Sequence, residues 1–149
     1  MNGQQVNLSD ELLAKKCVKL SEETFSTGSP WDENQFLSSL TNETHKKYFL
    51  FEENNLIGFI LFSVVLDEAD LLLIGVDLKF QRQAVGYQLL QEAQKELKEM
   101  TVKKIFLEVR RSNIKAIKFY QKNGFKKIGV RNNYYQSPKE DALIWMLEL

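Results

Sequence analysis

"DLLLIGVDLKFQRQAVGYQLLQEAQKELKEMTVKKIFLEV" (Asp70–Val109) runs from an apolar segment through a polar loop and an amphipathic stretch to a second apolar segment. Leu71–Val76 has the length and continuity of a buried strand. Val85, Leu89, Ala93, Leu97 and Met100 then recur at steps of three and four, which predicts an amphipathic helix from Ala84 to Met100. "VKKIFLEV" (Val102–Val109) returns as a short strand. Strand, crossover helix and strand make two parallel neighbours joined by a right-handed crossover. A parallel pair at the centre of an α+β fold is therefore expected.

Working outward, "KYFLFEENNLIGFILFSVVLDEADLLLIGVD" (Lys47–Asp77) is three β-rich runs split by the turn clusters "EENN" and "DEAD", an antiparallel meander. Upstream, "VNLSDELLAKKCVKLSEETF" (Val6–Phe25) reads as a short extended start and a helix. Ser9 or Asp10 is its N-cap, and Leu13, Cys17, Leu20 and Phe25 fall at helical spacing. "TGSPW" stops it, and "DENQFLSSL" (Asp32–Leu40) predicts a second short helix. Downstream, "LEVRRSNIKAIKFYQKNGF" (Leu107–Phe125) adds a helix capped by Ser112 or Asn113 and ended by Gly124. "FKKIGVRNNYY" (Phe125–Tyr135) and "DALIWMLEL" (Asp141–Leu149) then close the sheet. The expectation is one domain over residues 1–149, a mixed, mostly antiparallel sheet flanked by helices.

Twenty basic and twenty acidic residues cancel, and the lysine pairs are dispersed, so no nucleic-acid partner is expected. The single cysteine, Cys17, forms no internal disulfide. No basic-then-apolar leader is seen, and no apolar run approaches the roughly 20 residues of a membrane span, so a cytoplasmic protein without membrane contact is expected. His45 and Cys17 are the only histidine and cysteine, which leaves a structural zinc site nothing to build on; no metal is expected.

The loop from Lys79 to Gly86 delivers a strand to the start of a long helix, where unpaired amides and the positive end of the helix dipole suit a pyrophosphate. It contains neither a Walker motif nor a G-x-G-x-x-G, and the residues alone leave an ordinary helix start equally open. At one end of the following strand stands a carboxylate, Glu108. Twelve residues later comes a phenol, Tyr120; Asn113 and Tyr120 lie two helical turns apart and can share a cleft.

"QRQAVG" (Gln81–Gly86) resembles the acyl-CoA signature Q/R-x-x-G-x-G/A of the GCN5-related N-acetyltransferases. Gln81 and Gly86 match it, while Ala84 stands where that family usually has glycine. "PWDENQF", "VVLDEADLLLIGVD", "LEVRRSNIKAIKFYQKNGF" and "RNNYYQSPKEDALIWMLEL" are similar, in order and spacing, to the branch of the family that acetylates the N-terminal alanine of a bacterial ribosomal protein. The similarity runs over roughly residues 30–149.

The resemblance implies acetyl-CoA as co-substrate and a protein N-terminus, that of a small-subunit ribosomal protein, as partner. It implies a parallel strand pair splayed at the acyl-CoA cleft. Ile74, Gly75 and Val76 would line the acetyl and pantetheine arm, with the Val76 amide near the thioester oxygen. Arg82, Gln83, Ala84, Val85, Gly86 and Tyr87 would hold the pyrophosphate, and Asn113 would touch the cofactor. Glu108 would act as base and Tyr120 as acid, while Trp31, Tyr134 and Tyr135 would border the acceptor. Apart from the resemblance, the charges of Glu68 and Asp70 could attract a basic peptide, and "DEAD" is equally a solvated turn. A small amine such as a polyamine, aminoglycoside or amino acid is the alternative acceptor, and a non-catalytic acyl-CoA module the alternative class.

Overall fold

A computed structural model describes residues 8–81 and 84–149. The extended start read at Val6 lies outside them except at its end. Ser9 accepts the Leu12 amide at 3.2 Å and opens α1 (Asp10–Thr24). α2 (Glu33–Thr41) begins on a reciprocal capping box in which Gln35 N–H donates to Asp32 Oδ1 at 2.8 Å and Asp32 N–H to Gln35 Oε1 at 2.9 Å. The meander follows as β1 (His45–Glu52), β2 (Asn55–Val65) and β3 (Glu68–Val76), with antiparallel pairing throughout. A single 3-10 turn, Leu78–Phe80, leads toward α3 (Val85–Glu99).

β4 (Lys104–Arg110), α4 (Ile114–Lys122), β5 (Lys126–Tyr135) and β6 (Glu140–Glu148) complete the chain. Gly124, at φ 90°, takes the left-handed conformation that ends α4. The six strands lie in the order β1-β2-β3-β4-β6-β5, and β3 with β4 is the parallel pair. Among the described residues, no helix is long and apolar enough to cross a membrane.

Two cores hold the sheet. On one face, Val85, Leu89, Leu90, Ala93 and Leu97 of α3 and Tyr120 of α4 pack on Ile60, Phe62, Leu71, Ile105, Leu107 and Val109. On the other, Ala14, Cys17 and Leu20 of α1 and Phe36 and Leu40 of α2 cover Phe51, Leu56, Phe59 and Leu61. At about 2 kcal/mol for each fully buried Leu or Phe, these two layers dominate the folding free energy. The second core takes no residue from β4, β5 or β6. The α1–α2 layer thus covers one half of its face and leaves the other half for chemistry.

The same strands create a gap. Leu61 pairs with Leu73 and Phe62 with Leu71, so Leu72 is an extra residue in β3. Pairing of β3 with β4 stops just before it: Glu68↔Lys104, Ala69↔Ile105 and Asp70↔Phe106 are the only register pairs. Each strand stays tied to its outer neighbour beyond that point, β3 to β2 up to Val76 and β4 to β6 up to Arg110. The inner edges separate into a splay.

Candidate active site

The splay exposes backbone groups that a continuous sheet would pair. Asp77 N–H donates to Ile57 O on β2 at 2.8 Å, so strand alternation turns the polar groups of Val76 and Ile74 toward the open inner edge. The Val76 carbonyl there accepts a hydrogen bond from Gln81 Nε2 at 3.1 Å, which ties the loop to the strand end.

α3 starts beside the same edge. A Cβ on Gly86 would lie 3.3 Å from Phe119 Cε2, a tight contact, and 3.7 Å from Val76 Cγ2, an ordinary one, so the missing side chain eases the first turn of α3 against α4. Ala84 is the N-cap, at φ 61° and ψ 19°, and gives no side-chain cap to the helix amides. Its backbone is left-handed, where an alanine Cβ is crowded. Helix amides without a side-chain cap, a dipole end and a glycine-allowed close approach fit a diphosphate. Val85 is buried and Tyr87 exposed on this turn. Arg82 and Gln83 lie outside the described residues.

Side chains reach the splay from both faces. Ile105, Leu107 and Val109 point into the α3–α4 core, so alternation places Glu108 on the opposite face, in the half that α1 and α2 leave uncovered. Tyr120 belongs to the α3–α4 core, 5% exposed, with Phe119 and Phe125 rings at 5.6 and 5.5 Å. Burial, and then the neighbouring Tyr135, push its pKa above the ordinary phenol value. Tyr135 is on the Glu108 face, so the two phenols influence each other across the sheet.

Around Glu108 the second face is polar. Its Oε1 forms an ion pair with Arg131 Nε at 2.9 Å. Burial and then the Glu108 charge raise the pKa of Asp70. Burial, followed by the Glu108 charge, pushes the Tyr135 hydroxyl up to about 12. Arg110 lies over the Tyr135 ring at 4.3 Å and pairs with Glu140 at 3.3 Å, and Glu140 Oε2 in turn accepts the Ser112 amide at 2.6 Å. Contacts with Ser112, its side chain foremost, keep the Glu140 pKa low.

The other expected positions divide. Asn113 is the N-cap of α4, its Oδ1 accepting from Ala116 N–H at 3.2 Å, with Tyr120 two turns on. Trp31 packs edge-on to Phe36 at 5.3 Å beside the α1–α2 core, on the same face as Glu108. Glu68 opens β3 opposite Lys104, at the closed end, and is not gathered with the rest. Asp70, read in the sequence together with Glu68 as a charge that could attract a basic peptide, and Arg131, to which the sequence reading gave no role, are. Their signal is a cross-strand contact, which no local motif carries. Among the described residues, no group of three or more His, Cys, Asp or Glu stands ready for a metal ion.

The model of the acetyltransferase (GNAT) family matches residues 12–125. The chain belongs to the GNAT family. As a GNAT protein it is an acetyl-CoA-dependent N-acetyltransferase, and the uncapped start of α3 with the splayed β3–β4 edge suits that co-substrate. It is 38% identical over 122 residues to the [ribosomal protein bS18]-alanine N-acetyltransferase of Escherichia coli (strain K12), covering 80% of this chain and 82% of that one. The crystal structure of the ribosomal-protein-S18-alanine N-acetyltransferase from Escherichia coli matches with a TM-score of 0.84 at 33% identity, over 96% of this chain and 91% of that one. A putative streptothricin acetyltransferase from Bacillus anthracis str. Ames, in complex with acetyl coenzyme A, matches at 30% identity and a TM-score of 0.66, over 73% and 65% of the two chains.

Proposed function

We propose that this cytoplasmic enzyme, one catalytic domain over the whole chain, transfers acetyl from acetyl-CoA to the α-amine of an N-terminal alanine, that of a small-subunit ribosomal protein of the bS18 kind. The observation that carries the chemistry is the splay, with a carboxylate on one face of the sheet and a buried phenol on the other. Similarity to the Escherichia coli enzyme over four-fifths of the chain supports the acceptor.

The thioester supplies the acetyl group. Ile74, Gly75 and Val76 would line its arm. Amides of Ala84 to Tyr87, with Arg82 and Gln83, would hold the pyrophosphate, and Asn113 would contact the cofactor. Glu108, two residues past the last register pair, is level with Leu72; Val76 is four residues further, about 13 Å at 3.3 Å per residue. Ile74 is thus the better placed inner-edge amide for the thioester oxygen than Val76, as an oxyanion-type donor.

Glu108 accepts the amine proton as the bond to carbon forms, and Tyr120 gives its proton to the departing sulfur. An α-amine, with a pKa of about 8, is roughly one-tenth neutral at pH 7, whereas a lysine near 10.4 is below one part in a thousand. A single carboxylate base therefore favours a chain terminus. Trp31, Tyr134 and Tyr135 border the acceptor side, and of the two acidic residues suggested by the sequence, Glu68 and Asp70, it is Asp70 that lies near Glu108.

Mass spectrometry of acetylated products tests the acceptor. A peptide starting with alanine should be modified at its α-amine, and the same peptide with that amine blocked should stay unmodified even if it contains lysine. A strong preference for a free polyamine or for a streptothricin-type amine would overturn the ribosomal-protein reading.

A further inference from the structure

We propose that Arg131 is the positioning residue of the base: its guanidinium holds Oε1 of Glu108, leaving Oε2 for the acceptor proton. The proposal rests on the reading of Glu108 as base. A glutamate at a strand end, 29% exposed along its side chain, has free rotation unless something grips it. Arg131 grips it at 2.9 Å from the edge strand. A carboxylate has lone pairs on both oxygens, so one can be held while the other works.

Arg131 is itself braced. It pairs in register with Ala142, just before β5 becomes irregular up to Tyr135↔Glu140. Within that segment Asn133 takes φ 55°, and its amide is fixed by Asp141 Oδ1 at 2.8 Å. The ring of Tyr134 is thereby brought to 5.6 Å from the Arg131 guanidinium, and Tyr134 rests edge-on against Tyr135 at 5.2 Å. A planar guanidinium stacks on a ring in a way an ammonium does not. From Arg131 the contacts continue through Tyr134, Tyr135 and Arg110 to Glu140, which holds Ser112 before α4. The helix that carries Tyr120 and the strand that carries Glu108 thus both contact the β5–β6 hairpin.

The charged and titratable groups about Glu108 are Asp70 from β3, Arg131 and Tyr135 from β5, and Arg110 two residues along β4; its β6 register partner, Ile144, is apolar. Arg131 is thus the cation in contact with the carboxylate, opposed by one carboxylate on the far side.

Steady-state kinetics of Arg131→Gln, Arg131→Lys, Tyr134→Leu and Glu108→Gln with an alanine-starting peptide test this. Arg131→Gln should lower kcat about 10-fold with the KM for acetyl-CoA within about twofold, the scale at which an orienting partner matters. Arg131→Lys should recover part of the loss, and Tyr134→Leu, which removes the brace and keeps the cation, should lower kcat severalfold. The Arg131 side chain is 57% exposed, so melting should hardly change. A kcat of Arg131→Gln within twofold of the parent, a KM for acetyl-CoA that rises along with the fall in kcat, or equal losses in the Gln and Lys variants would overturn the proposal. Glu108→Gln separates the two levels: parent-like turnover there removes the base itself, whereas an inactive Glu108→Gln beside a parent-like Arg131→Gln removes only the positioning role.

Discussion

At Ala84 the backbone sits at φ 61°, a conformation that costs an L-residue about 1–2 kcal/mol and glycine almost nothing. Glycine's freedom in the unfolded chain returns part of that difference. Ala84→Gly should therefore raise stability by roughly 0.5 kcal/mol net, a melting shift of about 1–2 °C in a chain of this size, and should not weaken acetyl-CoA binding, because the amide donor is kept. A lower Tm or severalfold weaker binding by calorimetry would mean that the loop is built around the methyl group. Tyr120 carries a second prediction. Burial holds its proton on above the ordinary phenol value of about 10, and the acid role needs the protonated form. The kcat profile of the parent should show no alkaline limb below about pH 10, and Tyr120→Phe should lose about 10²-fold in kcat. A limb near pH 8 that disappears in Tyr120→Phe would place the phenol in a different environment. Glu108 and Tyr120 stand out in the sequence as candidates because each closes a recognisable segment. The placement of Asp70 and Arg131 beside Glu108 is not legible there, since pairing across strands distant in the chain brings them together.

The elements were legible wherever one period ran long enough. Steps of three and four gave α3 within one residue of its observed ends, and the "EENN" and "DEAD" clusters separated three strands that do form a meander. Strand order was less accessible: β6 inserts between β4 and β5, and nothing local states which edge a final strand will choose. The splay, implied only by family resemblance, has a cause in the extra residue at Leu72, whose register shift no single-strand pattern reveals. Gly75 shows how tightly this part of β3 is built. A Cβ there would lie 2.7 Å from Cε1 of Phe59, a ring fully buried under α1 and α2. Gly75→Ala should destabilise the protein by about 1–3 kcal/mol through overpacking. Chemical denaturation measures it, and an unchanged midpoint would show that Phe59 has room to yield.

For the whole molecule, the sheet is the frame on which two chemistries are kept apart. The buried α3–α4 layer carries the phenol and the start of α3, and the open half of the opposite face carries the carboxylate and its cations. On the proposed mechanism, a thioester lying where β3 and β4 separate would have a proton acceptor on one side and a donor on the other. Single turnover of Glu108→Gln preloaded with acetyl-CoA, with an alanine-starting peptide at neutral pH, tests this most directly. The account predicts a rate at least about 10²-fold below the parent with acetyl-CoA affinity retained, and a gap that narrows at high pH as the amine becomes neutral unaided. A rate within twofold of the parent at neutral pH would contradict it.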